Sequence, residues 1–203
     1  YRIDAVDSCG QLIEVQCASL AAIRGKIARL LSSHDVIVVK PLAARKKITT
    51  LHRKGGEIVR SRFSPMKATL AHLFLELVHF PVFPNKRLRL DVLLTEQEEI
   101  RIPPSEYTSW RKRFSVEDRS LVSIRRCVEL RTARDLWNAL DLTLPKMFTT
   151  ADIQKAGQMP RWLAQKIAWC FRRMDFFKVC GKSGNSLVYR HVGHRGRRGP
   201  AAA

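Results

Sequence analysis

The chain has 203 residues, 45% of them apolar, and carries 37 Lys and Arg against 18 Asp and Glu, a net charge of +19. That length allows one domain or two small ones with separate cores. The positive field suits a polyanion, nucleic acid before an anionic membrane, while no uninterrupted apolar segment nears the ~18 residues of a membrane-spanning helix.

The first sixteen residues, "YRIDAVDSCGQLIEVQ", read as two short strands around a Ser-Cys-Gly turn. Residues 1–6 place Arg2, Asp4 and Val6 on one face, and residues 11–17 place Leu12, Glu14 and Gln16 on one face, with Ile13, Val15 and Cys17 on the other. "SLAAIRGKIARLL" follows as a helix capped by Ser19, with Leu20, Ile23, Ile27, Leu30 and Leu31 in one stripe and Lys26 at its border. "DVIVVKPL" is the nearly continuous apolar run of a strand covered on both faces. Residues 46–63 read as a hairpin around Gly55-Gly56. Residues 64–80 read as a helix of about four turns, with Ser64 as cap and Pro65 in the first turn. Residues 87–102 alternate as a long strand or hairpin, in which Glu96, Glu98 and Glu99 suggest an exposed face.

A polar stretch with two prolines, 103–120, marks a boundary, and 120–130 adds one more strand to the connection. From Thr132 the pattern is helical: 132–142, then 148–157 with Thr149 and Asp152 as a cap pair and Gly157 as a stop, then 159–176. On a wheel of about 100° per residue, Leu163, Ala164, Ile167, Cys170, Phe171 and Met174 fill one arc of the last helix. Arg161, Gln165, Trp169 and Arg172 fill another, with Trp162, Lys166 and Arg173 beside them. "FFKVCGKSGNSLVYR" then reads strand, Gly-rich turn, strand. Five cysteines, an odd number without Cys-x-x-Cys spacing, fit reduced thiols better than a disulfide framework or a zinc site.

Three short helices followed by a hairpin resemble the winged helix-turn-helix family over 132–192. That segment holds ten Lys and Arg against four Asp. The resemblance implies that the third helix enters the major groove with Arg161, Gln165, Lys166 and Arg172 toward DNA. Lys178, Lys182 and Arg190 would meet phosphates from the wing. The bland alternative is a winged helix used for protein contact. The four tryptophans are expected as core or linker anchors.

Two acids on adjacent short strands admit three readings: hairpin acids paired with nearby bases, a two-carboxylate acid–base site, or a metal site for phosphodiester cleavage. A basic chain argues against a neutral sugar substrate. "RIDAV", "LIEVQ", the following helix and "DVIVVKPL" together resemble the PD-(D/E)XK nuclease superfamily over residues 1–45. The resemblance implies that Asp4, Glu14 and the Val15 carbonyl hold Mg²⁺ or Mn²⁺. Gln16 stands where the motif has lysine and cannot supply a cation, so Lys26 or Lys40 is the candidate for a migrated lysine. A start at Tyr1, directly in a strand, suggests further residues upstream.

The expected class is α/β: a restriction-endonuclease-like mixed sheet with flanking helices over 1–105, a basic connector over 106–131, a winged helix over 132–192 and a disordered basic tail over 193–203. The expected function is metal-dependent DNA cleavage, with Asp4, Glu14, Gln16, Lys26 and Lys40 as catalytic candidates. DNA is the expected partner, with a homodimer left open, in a cytoplasmic, nucleoid-associated setting without membrane contact. Two alternatives remain: a non-catalytic DNA-binding or regulatory protein with the same fold, and a structural partner in a larger defence or mobile-element complex.

Overall fold

The computed structural model describes residues 2–104 and 114–192; the expected tail over 193–203 and the first part of the expected connector, 106–113, lie outside them. The chain forms a mixed α/β fold built on a six-stranded mixed sheet with helices against it. Strands β1 (Ala5–Val6) and β2 (Leu12–Val15) make an antiparallel hairpin. Its turn needs Gly10, whose φ of 80° is a left-handed conformation that side chains disfavour. The Asp7 carboxylate secures that turn by accepting the N–H groups of Cys9 and Gln11.

A 3-10 turn, Leu20–Ile23, leads into α1 (Arg24–Leu30). Ser19 caps it as the sequence suggests, accepting the Ala21 N–H. The chain returns as β3 (Val36–Leu51), parallel to β2 with Glu14 in register with Val38. One 16-residue strand thus replaces the expected strand and separate hairpin arm. A register shift between Ala43 and Arg45 lets its parallel ladder with β5 run on to Thr50. Strand β4 (Ile58–Phe63) pairs back onto the far half of β3.

The expected four-turn helix over 64–80 is much shorter. A 3-10 turn, Leu70–Leu73, precedes α2 (Phe74–Leu77). The Ala68 N–H is drawn to the Ala43 carbonyl and the Met66 N–H to Ser64 Oγ, so this stretch follows the sheet instead of coiling. Strand β5 (Leu88–Ile102) runs parallel to β3, and β6 (Ser115–Leu130) pairs antiparallel with β5 along its whole length. Residues 115–130 are therefore an integral strand of the sheet, which corrects their reading as connector.

Helices α3 (Ala133–Leu140), α4 (Thr150–Ala156) and α5 (Arg161–Arg173) follow, then the hairpin β7 (Phe177–Ser183) and β8 (Ser186–His191). Thr132 with Asp135 and Thr149 with Asp152 form reciprocal caps. Phe148, Phe171, Phe177 and Tyr189 are buried around Trp137 and His191, with ring centroids 4.6–6.3 Å apart. The core does not stop at the sheet. Val36, Val38, Leu88, Leu90 and Leu130 share one apolar cluster with Leu73, Phe74, Leu136, Ile167 and Phe171. Phe74 of α2 meets Phe171 of α5 at 5.3 Å. The Arg173 guanidinium donates to the Leu77 and Val78 carbonyls at the end of α2, satisfying groups that a helix end leaves without partners.

Candidate functional site

The first site grows from the hairpin. Ala5 pairs with Ile13 and Val6 with Leu12, so Asp4 lies one step beyond, at the level of Glu14. Asp4 Oδ2 accepts the Val15 N–H at 2.8 Å, and its carboxylate stays exposed. Glu14 is buried on the face that carries Val38, and the Lys26 Nζ reaches its Oε2 at 2.6 Å from α1. The side chains keep only 18% and 10% exposure, so the pair is poorly screened by water.

The structure separates the two lysine candidates. Lys26 stands at Glu14. The Lys40 side chain is 4% exposed; its ammonium donates to the Ala18 carbonyl and lies 3.5 Å from Glu76 Oε1. Glu76 Oε2 also accepts from Ser19 Oγ and the Leu20 N–H, both at 2.9 Å. Lys40 is thus held in a clamp that joins β3, α2 and the start of the 3-10 turn. Gln16 is engaged locally, its Oε1 accepting the Ala18 N–H at 3.2 Å. The Val15 side chain is exposed.

The Asp4 and Glu14 carboxylates, at one level of the hairpin, are hard oxygen donors, the type that Mg²⁺ or Mn²⁺ takes while keeping several waters. A denser protein cage is absent: no group of three or more His, Cys, Asp or Glu gathers among the described residues. The donor set fits a water-rich Mg²⁺ and does not fit a tetrahedral zinc centre.

A second charged assembly lies on the far half of the sheet. Glu99 is 2% exposed and bonds Arg101, Lys46 and Arg119 at 2.6–3.1 Å. Burial opposes its ionisation more than any other single influence. The three cations together outweigh that, and hold its carboxyl at about 2 instead of 4.5. Glu98 is held low by Lys47 and Thr49, and Glu96 meets Arg45 and Arg125. These acids are rungs in an ion-pair ladder, not the exposed acidic face that their sequence suggests.

On α5, Arg161, Gln165 and Arg172 are exposed and Lys166 is half-buried. Lys178, Lys182 and Arg190 are exposed on the hairpin, with Lys178 and Arg190 directly paired across it. The hairpin turns at Gly184, whose φ is 55°. Arg190 also lines a cleft of about 700 Å³ with Arg134, Lys146, Trp137 and Phe176, a basic hollow that the sequence does not single out. The tryptophans divide. Trp137 is a core anchor, while Trp162 and Trp169 stand 47% and 45% exposed on α5, contrary to expectation, and Trp110 lies outside the described residues. Glu76 was also missed. Its only sequence signal is an acid inside the apolar run "LFLELV", with partners in Ser19, Leu20 and Lys40 that lie far off along the chain.

Residues 1–131 match the family model described as a domain of unknown function, DUF8091. The chain belongs to the DUF8091 family. The DUF8091 span takes in the whole six-stranded sheet and ends one residue after β6. A protein of Treponema pallidum (strain Nichols), described as "Uncharacterized protein", is 27% identical over 155 residues, which is 76% of this chain and 61% of that relative. The chain thus spans about 61% of that relative's length, and 155 aligned residues reach past the DUF8091 span into the helices after it. No solved structure matches. No helix among the described residues is long and apolar enough to cross a membrane.

Proposed function

We propose that the protein binds DNA through α5 and the β7–β8 hairpin, in the manner of a winged helix, and cleaves it at a restriction-endonuclease-like site built on the β1–β2 hairpin. The observation that carries the cleavage reading is the Lys26 ammonium, 2.6 Å from Glu14. A motif whose own lysine position holds Gln16 has regained a cation from the neighbouring helix. Hairpin, helix and parallel strand follow in the order of the nuclease core. In this reading Asp4, Glu14 and the Val15 carbonyl hold Mg²⁺ or Mn²⁺. A bound divalent ion supplies a water of lowered pKa and screening of the phosphate charge. Lys26 Nζ orients Glu14 and offers its remaining N–H groups to a phosphate oxygen.

The test is plasmid cleavage with Mg²⁺ or Mn²⁺ by the full chain and by Glu14→Ala. Cleavage by wild type that Glu14→Ala abolishes supports the reading. Binding without cleavage under both ions favours a second reading, a DNA-binding protein that keeps the fold alone. One observation favours that second reading: Lys26 already pairs with Glu14, so one of the two carboxylates has its counter-charge without a metal.

A further inference from the structure

We infer that the outer face of α5 is a stacking platform for unpaired bases, so that the DNA it takes is single-stranded or locally opened. This rests on the DNA-binding reading above and narrows it to a substrate class. Trp162 and Trp169 are seven residues apart, two helical turns, and at about 100° per residue they fall within ~20° of each other. Nearly half of each residue is exposed. Arg161, Gln165 and Arg172 border the pair on one side, with Lys166 and Arg173 on the other, so two indoles stand within a cationic frame that contains no acid.

The platform has a fixed form. Trp162, Gln165, Lys166 and Trp169 line a shallow groove of about 390 Å³ with Val78, at the end of α2. The Arg173 guanidinium lies 4.9 Å from the Trp169 ring and is itself tied to the α2 carbonyls. One edge of the groove is therefore anchored to the sheet domain, and the Trp169 ring is supported before any ligand arrives. Pre-organisation of this kind lowers the ordering cost of binding.

Paired DNA has no use for the two exposed indole faces. The major groove offers base edges with donors and acceptors, and an indole provides one N–H and a wide apolar plane. Base faces are hidden within the duplex stack and become available only in unpaired strands, where aromatic side chains and nearby cations hold them without regard to sequence. The backbone positions of the two tryptophans are about 10.5 Å apart along the axis, at 1.5 Å rise per residue. That distance spans several nucleotides of a strand threaded past the arginines.

The experiment measures binding of the full chain to a labelled single-stranded oligonucleotide and to the blunt duplex of the same sequence, by fluorescence anisotropy at several salt concentrations. The variants are Trp162→Ala, Trp169→Ala, the two Trp→Phe changes, and the double Arg161→Ala/Arg172→Ala. We expect tighter single-strand than duplex binding by wild type. Each Trp→Ala should weaken single-strand binding by about 5- to 150-fold, the range for one lost stacking contact, with duplex binding within twofold. Trp→Phe should restore most of the loss, because the ring persists. Duplex binding as tight as single-strand binding, or Trp→Ala variants that leave both unchanged, overturns the platform while the DNA-binding reading stands. Absence of binding to either form removes both. A groove that serves a protein partner leaves every nucleic-acid constant unmoved by the Trp changes, which also overturns the platform.

Discussion

Lys26 and Lys40 are two lysines within reach of one sheet face, and their surroundings assign them opposite tasks. The Lys26 Nζ meets the Glu14 carboxylate and keeps 18% side-chain exposure. The Lys40 Nζ is enclosed by the Ala18 carbonyl and Glu76. In the cleavage reading, Lys26→Ala lowers turnover by about 10²–10⁴, the range for a positioned acid–base group, with anisotropy-measured DNA binding nearly unchanged. Lys40→Met acts on stability instead. It removes the buried ammonium that the Ala18 carbonyl and Glu76 share, at a cost of about 1–3 kcal/mol, read as a lower urea midpoint at unchanged slope. Equal effects of the two substitutions on turnover, without a stability change in either, overturn this division. Where α5 takes duplex DNA instead of an unpaired strand, Arg161→Ala and Arg172→Ala should weaken duplex binding by about 1–3 kcal/mol for a side chain that reads a base. Where the contact is to phosphate alone, the loss is smaller and the salt slope falls by about one per contact.

At the scale of elements, the far half of the sheet depends on Glu99 as its electrostatic keystone. Its folded pKa, about 2, lies below the ordinary 4.5. The unfolded chain therefore takes up the proton first as pH falls. The stabilisation is complete above about pH 4.5 and disappears between there and about pH 2. Glu99→Gln should flatten the stability–pH curve in that window and cost roughly 1–3 kcal/mol at neutral pH, less than a fully buried pair because Arg119 keeps much solvent contact. A wild-type acid arm that survives Glu99→Gln in urea titrations means that other carboxylates carry it. The ladder also shows where sequence reading stops. The hairpin, α1, the start of β3 and the helices α3, α4 and α5 are legible because apolar period is a local signal, as are the Thr caps of α3 and α4. The length of β3, the place of β6 and the collapse of the expected helix over 64–80 depend on partners distant along the chain, such as the Ala43 carbonyl that takes the Ala68 N–H and the Leu94–Arg126 rung. The resemblance to the nuclease motif singled out Asp4 and Glu14 with Lys26 or Lys40, and only the folded chain chooses Lys26 as the partner of Glu14. Glu76 was not legible, because only the folded chain brings it to Ser19 and Lys40.

At the scale of the whole molecule, the DUF8091 span ends at residue 131 and the core continues. The interface between the sheet and the C-terminal helices holds Leu73 and Phe74 on one side and Phe171 on the other, all buried, with the Phe74 and Phe171 rings 5.3 Å apart. Fully buried residues of this size contribute roughly 1.5–3 kcal/mol each by removal from water. The two expected modules are therefore coupled, and neither presents a finished surface alone. Arg173 adds direct donors across the junction. Phe171→Ala should cost about 3–5 kcal/mol and lower the stability of both parts by the same amount. Hydrogen exchange measured by mass spectrometry over a denaturant series reads this directly. The slowest amides of β3 and β5 and those of α5 should open with one free energy in wild type, and shift together in Phe171→Ala. If α5 loses protection well before β5, and the substitution moves α5 alone, the junction is a contact between independent units and the shared core does not act as one.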